Sequence, residues 1–306
     1  MPDLLIPALL LQAGYNAALV SLGAALLGFA AGCVGAFTTL RRRALVSDAM
    51  AHATLPGVGL AFLTMAALGG DGRNLAGLLA GAGLSALLGL WALSRLTRTR
   101  LPEDAAIGAV LASFYGAGIV ILTVIQNLTL GRPAGLETFL LGSTAGMLLA
   151  DAMLIAGGGA VVLAILFALR RPLTMAAFDP GHARLMGVNT RLADMALMLL
   201  TLAVVLLGLR VVGLILIVAL LITPALAARF WSDRIGTVAL IAGGIGALSG
   251  YAGAALSAAL PDLPTGPVIV LLAFAVFAVS ALFAPEKGIL AQARARTRLR
   301  QIARTA

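Results

Sequence analysis

Long apolar runs, interrupted at short intervals by arginine clusters or by Gly- and Pro-bearing breaks, set the pattern of this chain. A helix needs roughly 20 apolar residues to cross a hydrocarbon core of about 30 Å. Nine runs approach that length: 15–39, 45–68, 75–94, 104–125, 147–169, 192–209, 211–228, 235–260 and 267–284. Only Arg210 separates the sixth from the seventh, which leaves that boundary open and allows one or two spans to be broken or re-entrant. The pattern predicts an all-α polytopic membrane bundle of about nine transmembrane helices (eight to ten) over residues 1–286, with a basic cytoplasmic tail over 287–306.

Charge sharpens this into a topology. The chain has 306 residues, of which 61% are hydrophobic and 11% charged, with a mean hydropathy of +1.07. A soluble domain carries about a quarter charged residues. The net charge of +9 does not point to nucleic acid, because the basic residues sit in short clusters between apolar runs. With the N-terminus outside, the inner connections hold Arg41–Arg43, then Arg95, Arg98 and Arg100. Next come Arg170, Arg171, Arg184 and Arg191, then Arg229 and Arg234, and last Lys287 with the five arginines of the tail. That is 18 of 21 basic residues; Arg73, Arg132 and Arg210 fall outside. Such a bias is the positive-inside pattern and puts the C-terminus inside. The tail reads as a solvated helix or a contact with anionic lipid. The start, Met1-Pro2-Asp3, lacks the basic region of a secretory signal, so no cleaved leader is expected.

The 36 glycines suggest close helix packing, since small residues let backbones approach where lipid removes the hydrophobic drive between helices. Gly28/Gly32, Gly77/Gly81, Gly142/Gly146 and Gly246/Gly250 carry the four-residue spacing of such contacts. Cys33, the single cysteine, lies in an apolar run and excludes a disulfide framework or a Cys-based metal site.

Against this background two ionisable residues stand out. Asp48 and His52 lie four residues apart in the second apolar run, so their side chains leave the same helix face. Counted from the Arg41–Arg43 cluster at 1.5 Å per residue, His52 is about 12–14 Å into the membrane, near the midplane where transporter sites commonly lie. Ionisable groups at that depth tend to face the bundle interior and mark a pathway or site. Carboxylate and imidazole are ligands for manganese, iron and zinc alike. Pro56-Gly57 follows and is expected to loosen the helix beyond the pair.

Other polar groups have plainer readings. Glu103 and Asp104 follow Pro102 and suit the first turn of a helix. Asp151 and Asp194 fall near span ends and read as interfacial. Pro224 is expected to kink its span. In the long polar stretch 178–191, Asp179 is placed to N-cap, Pro180 to begin and Gly187 to end a short cytoplasmic helix over 180–186. His182 within it reads as a solvated surface residue. No P-loop, His-Glu-x-x-His or Gly-x-Ser-x-Gly motif occurs, so the chain is not expected to be an enzyme or to bind ATP by that loop.

At Asp48-Ala49-Met50-Ala51-His52-Ala53-Thr54-Leu55-Pro56-Gly57 the chain resembles the membrane-spanning permease subunits of ATP-driven manganese, zinc and iron importers. The likeness continues through Glu103–Gly108, Leu141-Gly142-Ser143, Phe178-Asp179-Pro180 with Gly187, and Val212-Gly213 through Leu221–Ala225. The resemblance implies a divalent metal importer of the bacterial cytoplasmic (inner) membrane, with Asp48 and His52 at the family's metal-coordinating positions. It also implies that the segment around Phe178, Asp179, Pro180 and Gly187 docks into cytoplasmic ATP-binding subunits. A second permease copy (a homodimer or a related permease) and an extracytoplasmic metal-binding protein complete the implied assembly. No permanently bound cofactor and no nucleic acid enter it. Manganese is favoured as cargo, with zinc or iron as alternatives. From another class, a self-sufficient secondary metal/proton transporter would use Asp48/His52 as a proton relay and need no ATPase.

Overall fold

The computed structural model describes residues 2–12, 14–41, 43–70, 72, 74–128, 146–209, 212–260, 263–285 and 287–292. Leu141, Gly142, Ser143, Arg73, Arg132, Arg210 and the tail beyond 292 lie outside the described residues. Helices and short connections account for the described chain. In order they are α1 Pro2–Leu9, α2 Tyr15–Leu40, α3 Ala44–Ala67, α4 Leu75–Leu96 and α5 Glu103–Asn127. They continue with α6 Leu149–Phe178, α7 Pro180–Leu185, α8 Thr190–Leu209, α9 Leu214–Ala228, α10 Ile235–Ala259 and α11 Thr265–Phe283. Eight of these are long and apolar enough to cross a membrane, and α9 is a shorter apolar helix. The chain is a polytopic helical bundle.

The bundle has a dense half and a smaller one. In the dense half α2 packs on α10, α9, α6 and α8. Gly28 and Gly246 meet there so closely that a Cβ on either would overlap the other's carbonyl, and Gly32 and Gly250 press on the carbonyls of Ala242 and Ala24. Partner numbers fall along α10 as they rise along α2, so the two helices run antiparallel. Two of the glycine pairs expected from spacing therefore face each other. In the smaller half α3 packs on α4 and α5. Its core is Val46, Met50, Ala53, Leu90, Ile107 and Val110, closed by Leu202 of α8.

Several elements differ from the sequence expectation. The seventh apolar run begins as a helix only at Leu214, after Gly213 with φ 79°. At 15 residues α9 is about 22 Å long, short of a core of about 30 Å. It compensates by burial: Ile217, Leu220 and Leu221 are wholly enclosed. The fifth run does not end at 169. Instead α6 continues past Arg170, Arg171 and Pro172 to Phe178, with the Arg170 guanidinium 4.0 Å from the Phe167 ring centroid. Pro56-Gly57 does not open α3, which stays helical from Ala44 to Ala67. Gly57 serves packing instead, since a Cβ there would strike the Gly81 carbonyl on α4. Asp151 lies in the first turn of α6, at the end of its span as expected, but it is buried there, and its Oδ2 accepts from the Leu148 N–H (3.0 Å) to cap the helix. The short α1 was not expected. Its Ala8 packs with Ala255 and Ala259 of α10, and the Tyr251 hydroxyl donates to the Leu9 carbonyl (2.5 Å).

Candidate functional site

Helix α3 carries the candidate pair. Asp48 and His52 do share a face, with His52 Nε2 3.4 Å from Asp48 Oδ1 and side-chain exposures of 33% and 20%. The flanking hydroxyls do not compete for them. Ser47 donates back to the Ala44 carbonyl (2.5 Å) and Thr54 to the Ala51 carbonyl (2.6 Å) of their own helix. The imidazole stands edge-on to Tyr115 of α5, with ring centroids 4.9 Å apart at 81°. Its Nδ1 is buried and makes no hydrogen bond among the described residues. An unpaired buried polar group costs free energy.

Tyr115 was not singled out from the sequence, and no local signal marks it. It lies 63 residues from His52 and meets it only because α3 and α5 run parallel, with Gly118 packed on Leu55 and Pro56. Beside Tyr115, α5 exposes Gly108, Ala112 and Gly116 one turn apart. A Cβ added at Gly108 or Gly116 would meet nothing within 4 Å. Among the described residues no group of three or more His, Cys, Asp or Glu side chains gathers as a metal cage.

The second expected feature lies beyond α6. Asp179 caps α7, its Oδ1 accepting from the His182 N–H (2.9 Å), with Pro180 as the first helical residue. Met186 ends the helix and Gly187 follows at φ 79°, one residue later than a cap on the helix itself. There the Gly187 and Val188 N–H groups bond back to the Arg184 and Ala183 carbonyls (3.0 and 2.9 Å), the paired bonds that let glycine stop a helix. Asn189 then caps α8 through the Arg191 and Leu192 N–H groups. The result is a tight helical knuckle whose Phe178, Leu185 and Met186 are left exposed. His182 is exposed as well, as expected of a surface histidine.

The inner ends of the helices are tied by charge. Arg41, at the end of α2, donates to the Ala176 carbonyl of α6 and pairs with Asp194 of α8. Arg43 Nη2 lies 3.8 Å from Asp194 Oδ2, and its Nε is 3.3 Å from Glu103 Oε1. Glu103 and Asp104 do occupy the first turn of α5, but Glu103 has this partner too. Asp194 is an ion-paired group rather than an idle interfacial one.

A profile of the ABC 3 transport family matches residues 15–284. The manganese transport system membrane protein MntC of Bacillus subtilis (strain 168) is 40% identical over 287 residues, which is 94% of this chain. The chain spans 65% of that relative's length, just under two thirds. The zinc transport system membrane protein TroC of Treponema pallidum (strain Nichols) is 36% identical over 274 residues, 89% of this chain and 90% of its own. Among solved structures, PsaBC from Streptococcus pneumoniae in complex with Fab matches with a TM-score of 0.79 and 29% identity, covering 94% of this chain and 98% of that one. On the strength of its helical bundle, its matched length and these identities, the chain belongs to the ABC 3 transport family.

Proposed function

We propose that this chain is the multi-pass permease subunit of an ATP-driven importer that carries a divalent transition metal, manganese in preference to zinc or iron, across the bacterial inner membrane. The observation that carries the reading is the Asp48/His52 pair on α3, with its 3.4 Å separation. Two ligand atoms each about 2.1 Å from one ion stand about 3.0–3.4 Å apart at right-angled to tetrahedral geometry. The carboxylate supplies charge against a divalent cation and the imidazole a nitrogen ligand. That pair alone accepts any of the three metals. The preference for manganese is supported by the manganese relative's higher identity, 40% against 36% for the zinc relative.

Two protein ligands hold an ion weakly, which suits a site that must release its cargo. Further ligands come from water or from a second permease copy packed on the small-residue face of α5. An extracytoplasmic binding protein delivers the ion. ATP hydrolysis belongs to separate cytoplasmic subunits that receive the exposed Phe178, Leu185 and Met186 around α7 and return their closure to the bundle.

The test is reconstitution in liposomes with the cognate ATP-binding subunits and binding protein. Manganese should accumulate only when ATP reaches the ATPases, and the permease alone should accumulate none. Accumulation by the permease alone under a proton gradient would overturn the reading in favour of a secondary transporter.

A further inference from the structure

The ion pairs at the inner end of the bundle join two sets of helices that the transport cycle must connect. On one side stand α6 and α8, the helices that flank α7. Arg41 reaches α6 at the Ala176 carbonyl, two residues before Phe178, and reaches α8 at Asp194, in its first two turns. On the other side stand α3 and α5, which carry Asp48, His52 and Tyr115. Arg43 is the N-cap residue of α3, and Glu103 is the first residue of α5. Asp194 holds the centre, with Oδ1 on Arg41 and Oδ2 facing Arg43.

Stability alone is a weak reason for this arrangement. Partly buried ion pairs return much of their attraction as desolvation, and neutral replacements of similar shape are often tolerated. The network also holds an open donor: Arg41 Nε is buried and makes no hydrogen bond among the described residues. The lever is short as well. Asp48 is only five residues beyond Arg43 on a continuous helix, so a shift at the start of α3 reaches the carboxylate within about one and a half turns.

We infer that Arg41, Asp194 and Arg43 are positioning residues that pass movement of α6, α7 and α8 to the start of α3, and so set where Asp48 and His52 stand during the cycle. This inference rests on the importer reading above. Coupling of this kind runs through ion-pair networks and rigid elements with two arrangements. Asp194 is the joint, because among the described residues it is the group that pairs with both arginines.

The experiment compares Asp194→Asn and Asp194→Glu with the wild type in the reconstituted complex. It measures manganese uptake, ATP hydrolysis and equilibrium binding of manganese to the detergent-solubilised complex. For Asp194→Asn, manganese transported per ATP hydrolysed should fall about tenfold while equilibrium binding stays within about twofold, a coupling loss of typical size. Asp194→Glu, which keeps the charge, should recover most of the ratio. A ratio within about twofold of wild type for Asp194→Asn overturns the inference, as does a parallel fall of binding, hydrolysis and uptake, which marks a structural role. If Asp194→Asn fails to assemble, Arg43→Gln, which leaves the Arg41–Asp194 pair in place, is read by the same two criteria. Absence of ATP-driven uptake by the wild-type complex sinks the importer reading itself and is seen before any variant is compared.

Discussion

Gly28 and Gly246 meet backbone to backbone between α2 and α10, whereas Gly108 and Gly116 on α5 have no atom within 4 Å of where a Cβ would stand. The two regions draw on the same small residues. Along α2, 61% of the spanning window is buried within the chain, against 28% along α5, so the first set is used up in the fold and the second is left over. Glycine content in a membrane sequence therefore does not by itself say where a helix packs. The α2–α10 seam is scaffold. The α3–α5 side, which carries Asp48, His52 and Tyr115, keeps open positions on α5.

The largest effect is expected from breaking the seam. Gly246→Leu drives a side chain into the Gly28 carbonyl, where neither backbone can yield without moving a helix. Overpacking of this kind costs about 3 kcal/mol or more. The variant should be lost from the membrane fraction or lower the thermal midpoint steeply in detergent. A normally folded Gly246→Leu protein contradicts the packing described for α2 and α10.

Changes on the other side should silence transport without touching the fold. Asp48→Asn and His52→Leu should each reduce manganese uptake to background. Their unfolding free energies should change by only about 1 kcal/mol or less, since what is lost is the Asp48–His52 contact and, in His52→Leu, the edge contact with Tyr115. His52→Leu also removes the unpaired buried Nδ1. The double variant should be no worse than either single one, as for groups acting as a unit. Uptake near the wild-type rate in either single variant removes the pair from the transport site.

A subtler comparison sets Gly116→Leu beside Gly246→Leu. The same substitution at the open position should leave the monomer's thermal midpoint unchanged or slightly raised, since glycine within a helix costs about 0.5–1 kcal/mol relative to alanine. It should instead reduce the fraction of paired permeases, read by light scattering of the solubilised complex. Unchanged pairing would move the second copy off this face. The smallest effect belongs to the start of α4, where the Asn74 Oδ1 accepts from the Ala76 and Gly77 N–H groups. Asn74→Ala should cost about 1 kcal/mol and Asn74→Asp little, both measurable as shifts in thermal midpoint.

Much of this was legible in one dimension because the governing interactions are local. Backbone groups in hydrocarbon must bond within their own segment, so the apolar runs had to become helices. The four-residue step put Asp48 and His52 on one face whatever surrounded them. Asp179, Pro180 and Gly187 mark the ends of α7 by their own chemistry, and the capping bonds were found where that chemistry put them. The charge bias also agrees with α2 and α10 running antiparallel.

What the chain's order could not decide was which distant groups meet. Asp194 read as interfacial because a span end tolerates a charge. Only the fold brings Arg41 and Arg43 to it across more than 150 residues. Tyr115 reaches His52 through the parallel packing of α3 on α5, and Asp151 is buried although Leu148 and Leu149 beside it are exposed. Helix α9 begins only after Gly213, which adopts a positive φ that hydropathy does not register. Periodicity and capping act within a few residues and are written in the sequence. Pairing across helices depends on register, depth and rotation, which are set jointly by every packed surface and exist only once the bundle has closed.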